Sequence, residues 1–303
     1  MTIERISCAP GDGINEDCVA VFETDGLLDL LVVDGATSVA DRDYVDTING
    51  DVAWFVQAFV GELGKTIAPA RTQADSVHLA VEAVRRTYTA RTAGQDVPLY
   101  AHPLAALSWV RLRPLPDALA LSLYCLGDCK ALAIDGTGAV IDLDPYDNPF
   151  ETVVQEAAAR LTAEGVLDPA LRLRRLLPML RTRREDQHAC AAPTVLCLAP
   201  QGGFDARERS WRLAPDAAVL AMSDGFFRLA DPYGLMTQGE LVRRCRVEGL
   251  ASLMRELRAF ETAGAGAALA VKNADDASAI MWTPPAPGRA QRGVTATTAE
   301  EQP

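Results

Sequence analysis

The period of the apolar residues changes several times along this chain, and the order of those changes restricts the fold more than any single motif. An opening stretch that alternates apolar and polar residues leads into a hairpin pattern, Cys18 to Glu23 and Leu27 to Val33, turning at Thr24-Asp25-Gly26. From Asp46 to Leu63 the residues Ile48, Val52, Phe55, Val56, Phe59, Val60 and Leu63 recur at helical spacing, and Ser76 to Thr89 repeats that period. Strand signals return in Ala106 to Leu112, Ala118 to Leu126, Ala131 to Ile134 and Ala139 to Leu143. Turn chemistry separates them at Pro114/Pro116, Gly127-Asp128 and Asp135-Gly136-Thr137-Gly138. Phe150 to Glu164 and Pro169 to Arg184 read as helices, then Thr194 to Leu198, Ser210 to Leu213 and Ala218 to Met222 as strands. A helical region, Gly239 to Thr262, precedes a last strand, Ala277 to Trp282. Hairpins, helices, a meander, helices and hairpins again make an α+β order, with antiparallel sheets and helices segregated to their outer faces. The same reading gives one domain, residues 1–283, and a disordered tail, 284–303, rich in Pro, Gly, Thr and Glu.

Composition narrows the function classes. Of 303 residues 49% are apolar and 23% charged, ample material for a core. Lys plus Arg number 29 against 41 Asp plus Glu, a net charge of -12 that argues against nucleic acid as a partner. No run of about 18 apolar residues argues for a membrane span, and Met1-Thr2-Ile3-Glu4-Arg5 lacks the order of a signal peptide, so the expectation is a cytoplasmic protein. The seven cysteines contain no C-x-x-C and read as reduced structural thiols. With three histidines as well, any metal chemistry would have to use oxygen ligands.

The placement of the acids is more informative than their number. Glu16-Asp17 precedes a strand, Asp34-Gly35 ends one, Gly127-Asp128 interrupts a strand pair, Ser223-Asp224-Gly225 follows another and Asp275-Asp276 opens the last. Asp135-Gly136 is read as a turn only. Two carboxylates about 4 Å apart repel by roughly 4 kcal/mol at an effective dielectric of 20, so a convergent cluster would protonate or take cations. Hard divalent ions, Mg²⁺ or Mn²⁺, suit such oxygens and can activate water, which points to metal-assisted hydrolysis of a phosphate ester.

In their order and spacing these segments resemble the metal-dependent, type-2C serine/threonine protein phosphatases. Asn15-Glu16-Asp17 resembles that family's N-terminal acidic motif, and Val32-Val33-Asp34-Gly35 its strand-end Asp-Gly. Leu126-Gly127-Asp128-Cys129-Lys130-Ala131, Ala221-Met222-Ser223-Asp224-Gly225-Phe226-Phe227 and Asp275-Asp276-Ala277-Ser278-Ala279-Ile280 are similar to its later motifs. The resemblance implies two packed antiparallel β-sheets flanked by helices on both outer faces, a four-layer αββα sandwich. It also implies that Asp34 bridges two Mg²⁺ or Mn²⁺ ions, that Gly35 offers its carbonyl oxygen to one, and that Asp224 and Asp275 complete the other's shell. Glu16 and Asp17 would hold metal-bound waters, and Asp128 matches the residue tied to a weak third ion. A water bridging the two main ions would attack phosphorus.

Departures from the family pattern stand beside these matches. The family often carries an Arg shortly before the acidic pair to hold the substrate phosphate, whereas Pro10-Gly11-Asp12-Gly13-Ile14 occupies that place and Arg5 is the nearest basic residue. Either another Arg supplies the contact or phosphate binding is weak. Ala36-Thr37-Ser38 follows Asp34-Gly35 where relatives have a His or Met followed by two glycines, and Arg228 stands where a second acid often sits in the third-ion region. The run Arg172, Arg174, Arg175, Arg181, Arg183 and Arg184 reads as a solvated helix face whose leucines, from Leu171 to Leu180, pack inward. His188 and Cys190 read as core or loop, and Trp54, Trp109, Trp211 and Trp282 as core.

The expectation is therefore a phosphomonoester hydrolase acting on phosphoserine or phosphothreonine of a phosphorylated protein, with room for a cognate kinase or regulatory partner. The alternatives are a non-catalytic binding or regulatory module on the same fold and a phosphatase for a small metabolite.

Overall fold

A computed structural model describes residues 1–264 and 274–285. The chain opens on a strand, β1 (Thr2–Cys8), then forms β2 (Cys18–Thr24) and β3 (Leu27–Gly35). Helices α1 (Asp51–Thr66) and α2 (Gln73–Arg91) follow, and then the meander β4 (Leu104–Pro114), β5 (Leu119–Leu126), β6 (Lys130–Ile134) and β7 (Val140–Asp142). Two helices, α3 (Pro149–Ala163) and α4 (Pro169–Ala189), precede β8 (Leu196–Cys197), β9 (Arg207–Leu213) and β10 (Ala218–Met222). A short α5 (Asp224–Phe227), α6 (Gln238–Glu248), α7 (Leu250–Thr262) and β11 (Ala277–Thr283) complete the described chain.

The strands form two antiparallel sheets, ordered β1-β11-β10-β6-β7 and β2-β3-β4-β5-β9, with β8 paired to β4. Strand periodicity sorts their residues between layers. On β3, Leu30 and Val32 enter the core between the sheets while Leu31 and Val33 face α1 and α2. On β10, Val219 and Ala221 point inward while Leu220 and Met222 meet Leu241, Leu253 and Leu257 of α6 and α7. Both faces of these strands are covered, so they read as nearly continuous apolar runs. The result is the α+β, four-layer arrangement expected from the sequence.

Local chemistry moves several boundaries. Helix α1 starts at Asp51 rather than Asp46, because the Asp51 carboxylate accepts the backbone N–H groups of Tyr44, Val45 and Asp46 and holds the preceding segment in a turn. Ile48 thereby leaves the helix face and is 81% exposed. The single helical region expected at Gly239 to Thr262 is two helices, broken at Gly249 where φ is 83°. Strand β1, whose alternation is short and mixed, pairs along its whole length with β11. Asp135 does form a turn, accepting from Thr137 and Ala139 N–H. Trp109 and Trp282 are buried in the core, whereas Trp54 and Trp211 are only half-buried. All seven cysteines are free thiols. Among the described residues no helix is long and apolar enough to cross a membrane. Of the expected tail, residues 286–303 lie outside the described residues.

Candidate metal centre

Strand register assembles the acids. Cys18 pairs with Val33, so Asp17 stands beside Asp34; Asp34 in turn pairs with Ala106. Leu107 pairs with Leu126, which sets Gly127 and Asp128 next in line. In the other sheet Met222 pairs with both Lys130 and Ala279, so Asp224 and Asp276 emerge at the same end as Asp128. Five strand ends from two sheets thus open on one mouth.

Close backbone packing makes that possible. A Cβ on Gly225 would overlap the Asp276 carbonyl oxygen, and one on Gly35 would lie 2.5 Å from the Glu16 carbonyl oxygen and 2.6 Å from Val52. Asp276 Oδ2 accepts the Glu16 N–H at 2.7 Å, joining the first acidic segment to the last. Arg258 of α7 donates to the Asp275 and Cys8 carbonyl oxygens at 2.8 and 2.7 Å and so fixes the backbone there. Beneath them runs a polar floor: Asn15 donates to Ser7 Oγ, Ser278 Oγ to Ser7 Oγ, and the Ser278 N–H to Ser223 Oγ. Asp17 lies on this floor, 3% exposed, with both carboxylate oxygens buried and without a hydrogen bond.

The electrostatics follow from that crowding. Burial, with Asp17, Asp224, Asp128 and Asp275 all facing it, holds the Asp34 carboxyl well above the usual range. Asp17 is pushed up to about 7, chiefly by burial; the Ser223 and Ser278 hydroxyls lie near enough to temper the rise without closing a hydrogen bond. Asp224 is raised to about 6 by burial and by Asp128 and Asp275, against the pull of Arg228 and of a hydrogen bond shared with Asp34. Glu16, Asp34, Asp128, Asp224, Asp275 and Asp276 are all half-buried, open enough for an ion or substrate to reach.

The donor set fits a hard divalent cation. It is entirely oxygen, carries uncompensated charge, and contains a buried carboxylate whose own oxygens have no partner. The carboxylates share a mouth and not a finished shell: no three His, Cys, Asp or Glu side chains among the described residues are gathered tightly enough to hold an ion. One cause is visible. Arg228 Nη2 donates to Asp275 Oδ2 at 2.8 Å and draws that carboxylate toward α5. Asn148, which caps α3 through Oδ1, donates from Nδ2 to Asp128 Oδ2 at 2.8 Å.

Other residues of the mouth carry no sequence signal, being separated from the acids by dozens of positions. Arg207 binds the fully buried Asp144 with Nε and Nη2 and donates from Nη2 to the Gly127 carbonyl oxygen at 2.6 Å, which supports Asp128 from behind. Helix α4 departs from the solvated face expected of it. Leu173 is 52% exposed, while Arg181, Arg183 and Arg184 turn toward the body of the protein. Arg181 Nε donates to the Val39 carbonyl oxygen and Arg184 Nη2 to that of Thr37, both at 2.9 Å, on the loop that leaves β3. Burial pulls the Arg184 guanidinium down to about 10 against the charge of Glu16, and it remains a cation at neutral pH. His188, farther along α4, is 4% exposed and faces the His102 carbonyl oxygen, as expected of a core histidine.

No protein-family model matches the sequence, and no curated protein is similar to it in sequence. Solved structures do match its shape. A serine/threonine phosphatase of S. agalactiae shares 12% identity over 92% of this chain and 98% of its own, with a TM-score of 0.53. The serine/threonine phosphatase PstP/Ppp of Mycobacterium tuberculosis shares 15% identity over 93% and 98%, with a TM-score of 0.51. At such identities the likeness is one of architecture, and the architecture is the type-2C serine/threonine phosphatase fold.

Proposed function

We propose that this chain is a Mg²⁺- or Mn²⁺-dependent phosphomonoester hydrolase that removes phosphate from phosphoserine or phosphothreonine in proteins. The observation that carries this reading is the meeting of Asp17, Asp34, Asp128, Asp224 and Asp275 at one mouth, each raising or facing another's charge. Such mutual repulsion is costly unless cations relieve it. The substrate class is carried by likeness, since the solved structures of this shape include serine/threonine phosphatases.

Asp34, the Gly35 carbonyl oxygen, Asp224 and Asp275 would hold two ions, with Glu16 and Asp17 around them and Asp128 as the candidate for a third. Divalent ions bound there would supply a Lewis acid for phosphoryl oxygens and a nucleophile at neutral pH. The chain's own residues do the rest. Arg258, Asp276 and the serine floor fix the acids in register. Arg228 neutralises the Asp275 side of the mouth, and Asp17 places a buried carboxyl, raised to about 7, beneath the acids, where bound cations would hold it ionised.

The test is release of p-nitrophenol from p-nitrophenyl phosphate with Mn²⁺ or Mg²⁺, with EDTA, and with Asp34→Asn, followed by phosphate release from phosphoserine and phosphothreonine peptides. Turnover abolished by chelator and by the substitution is the expected result. Metal-independent turnover, or none with any ester, defeats the reading.

A further inference from the structure

We propose that Arg184, on the inner face of α4, is the residue that grips the phosphate of the substrate in this chain. The inference rests on the hydrolase reading above. Its starting point is an accounting of guanidinium groups around the mouth. Arg228 is committed to Asp275, Arg207 to Asp144 and the Gly127 carbonyl oxygen, and Arg258 to Glu261 and two backbone carbonyl oxygens. On α4 itself, Arg181 pairs with Asp41 and lies over the Tyr100 ring, and Arg183 lies over the Phe150 ring. Arg184 donates one hydrogen bond, to the Thr37 carbonyl oxygen, and has no carboxylate within ion-pair distance among the described residues. Arg183 likewise has no carboxylate partner, and no hydrogen bond, among the described residues, but its guanidinium is stacked on the Phe150 ring; what sets Arg184 apart is that it is held against the loop just beyond Asp34 with Glu16 acting on its charge.

Its position is as informative as its unspent charge. Thr37 lies three residues beyond Asp34, on the loop that leaves the strand carrying the central acid of the mouth, and Glu16 lies close enough to act on the Arg184 charge. Glu16 in turn packs its backbone on Gly35 and donates its N–H to the Asp276 carboxylate. A half-buried guanidinium thus stands at the rim of a carboxylate cluster, held at one corner and with most of its five donors unspent among the described residues. A planar fork of that kind matches two oxygens of a phosphate. The one basic residue near the acidic pair in sequence does not reach: Arg5 is exposed within β1, three positions short of the strand end that borders the mouth.

Arg181, one turn earlier on α4, provides the control, because it fastens the same loop without facing the acids. Inorganic phosphate titrated calorimetrically into the full chain with Mn²⁺ present should bind wild type and Arg181→Met alike. It should bind Arg184→Met about tenfold or more weakly, with partial recovery in Arg184→Lys. In steady state Arg184→Met should raise KM for p-nitrophenyl phosphate more than it lowers kcat. Phosphate affinity of Arg184→Met within about twofold of wild type overturns the assignment. So does an equal loss in Arg181→Met, which would mark a loop effect, or a wild type that binds no phosphate. Wild type that binds phosphate through Arg184 yet turns over no ester defeats the hydrolase reading and leaves the phosphate site standing.

Discussion

Arg228 and Asp275 meet at 2.8 Å across 47 positions of sequence, and the pair makes the first residue beyond α5 a resident counter-ion of the acidic mouth. Tyr233 shares a hydrogen bond with the same guanidinium, so it is held from two sides. A cation arriving at Asp275 therefore meets a positive charge already in place. Arg228→Gln should cost about 1–3 kcal/mol in EDTA, less than a fully buried pair because Asp275 is partly open. Urea denaturation with and without Mn²⁺ checks it. The deficit should narrow once Mn²⁺ is added, since the ion takes over the neutralisation; a deficit unmoved by metal would separate the two charges.

Asp17 makes the opposite prediction. A carboxylate 3% exposed with neither oxygen hydrogen-bonded is a liability in the absence of cations. Asp17→Asn removes the charge and keeps the shape, so the metal-free variant should be more stable than wild type by roughly 1–3 kcal/mol. Its Tm should also rise less with added Mn²⁺, because an ion stabilises only what it binds. Thermal melts across a metal titration read both effects. A metal-free variant no more stable than wild type would mean that the buried charge is compensated by some other means.

The course of the chain was largely legible because most strands and helices are amphipathic or apolar over whole elements. The convergence of Asp17, Asp34, Asp128 and Asp224 was legible for a related reason: each sits at a strand end beside a turn, and the pairing of those strands is what brings them together. Arg184, Asn148 and Arg207 were not legible. Each acts through one long side chain reaching across elements, and nothing in the local pattern of an Arg-rich helix says which guanidinium turns inward. Ile48 misled for a local reason, since an apolar residue in helical register was captured by an aspartate-built turn that the periodicity does not encode.

His188 gives the chain an acid-sensitive joint between α4 and the segment before β4. Burial holds its imidazole down at about 4, while the unfolded chain titrates near 6.5, so between those values the unfolded state binds more protons. The contribution is present above about pH 6.5 and is lost as pH falls toward 4, amounting to on the order of 2–3 kcal/mol at the lower limit. His102, whose ring lies 5.5 Å from that of His188, is lowered in the same direction by burial. Denaturation midpoints at pH 7 and pH 5 should fall more steeply for wild type than for His188→Gln. Equal slopes would place the acid sensitivity elsewhere.

Gly225 links the fold to the site most directly. It follows Asp224, and any Cβ there would overlap the Asp276 carbonyl oxygen; backbone, unlike a flexible side chain, cannot swing away. Gly225→Ala must therefore move α5 away from the start of β11, which separates Asp224 from Asp275 and strains the bond from the Glu16 N–H to Asp276. Overpacking of this kind costs about 1–3 kcal/mol. The loss of metal affinity should exceed what that destabilisation explains, because the two acids lose their common mouth while the sheets on either side remain paired. Calorimetric Mn²⁺ titration beside a urea melt separates the two effects. A variant that is destabilised yet binds Mn²⁺ as wild type does would show that the ion does not need Asp224 and Asp275 together.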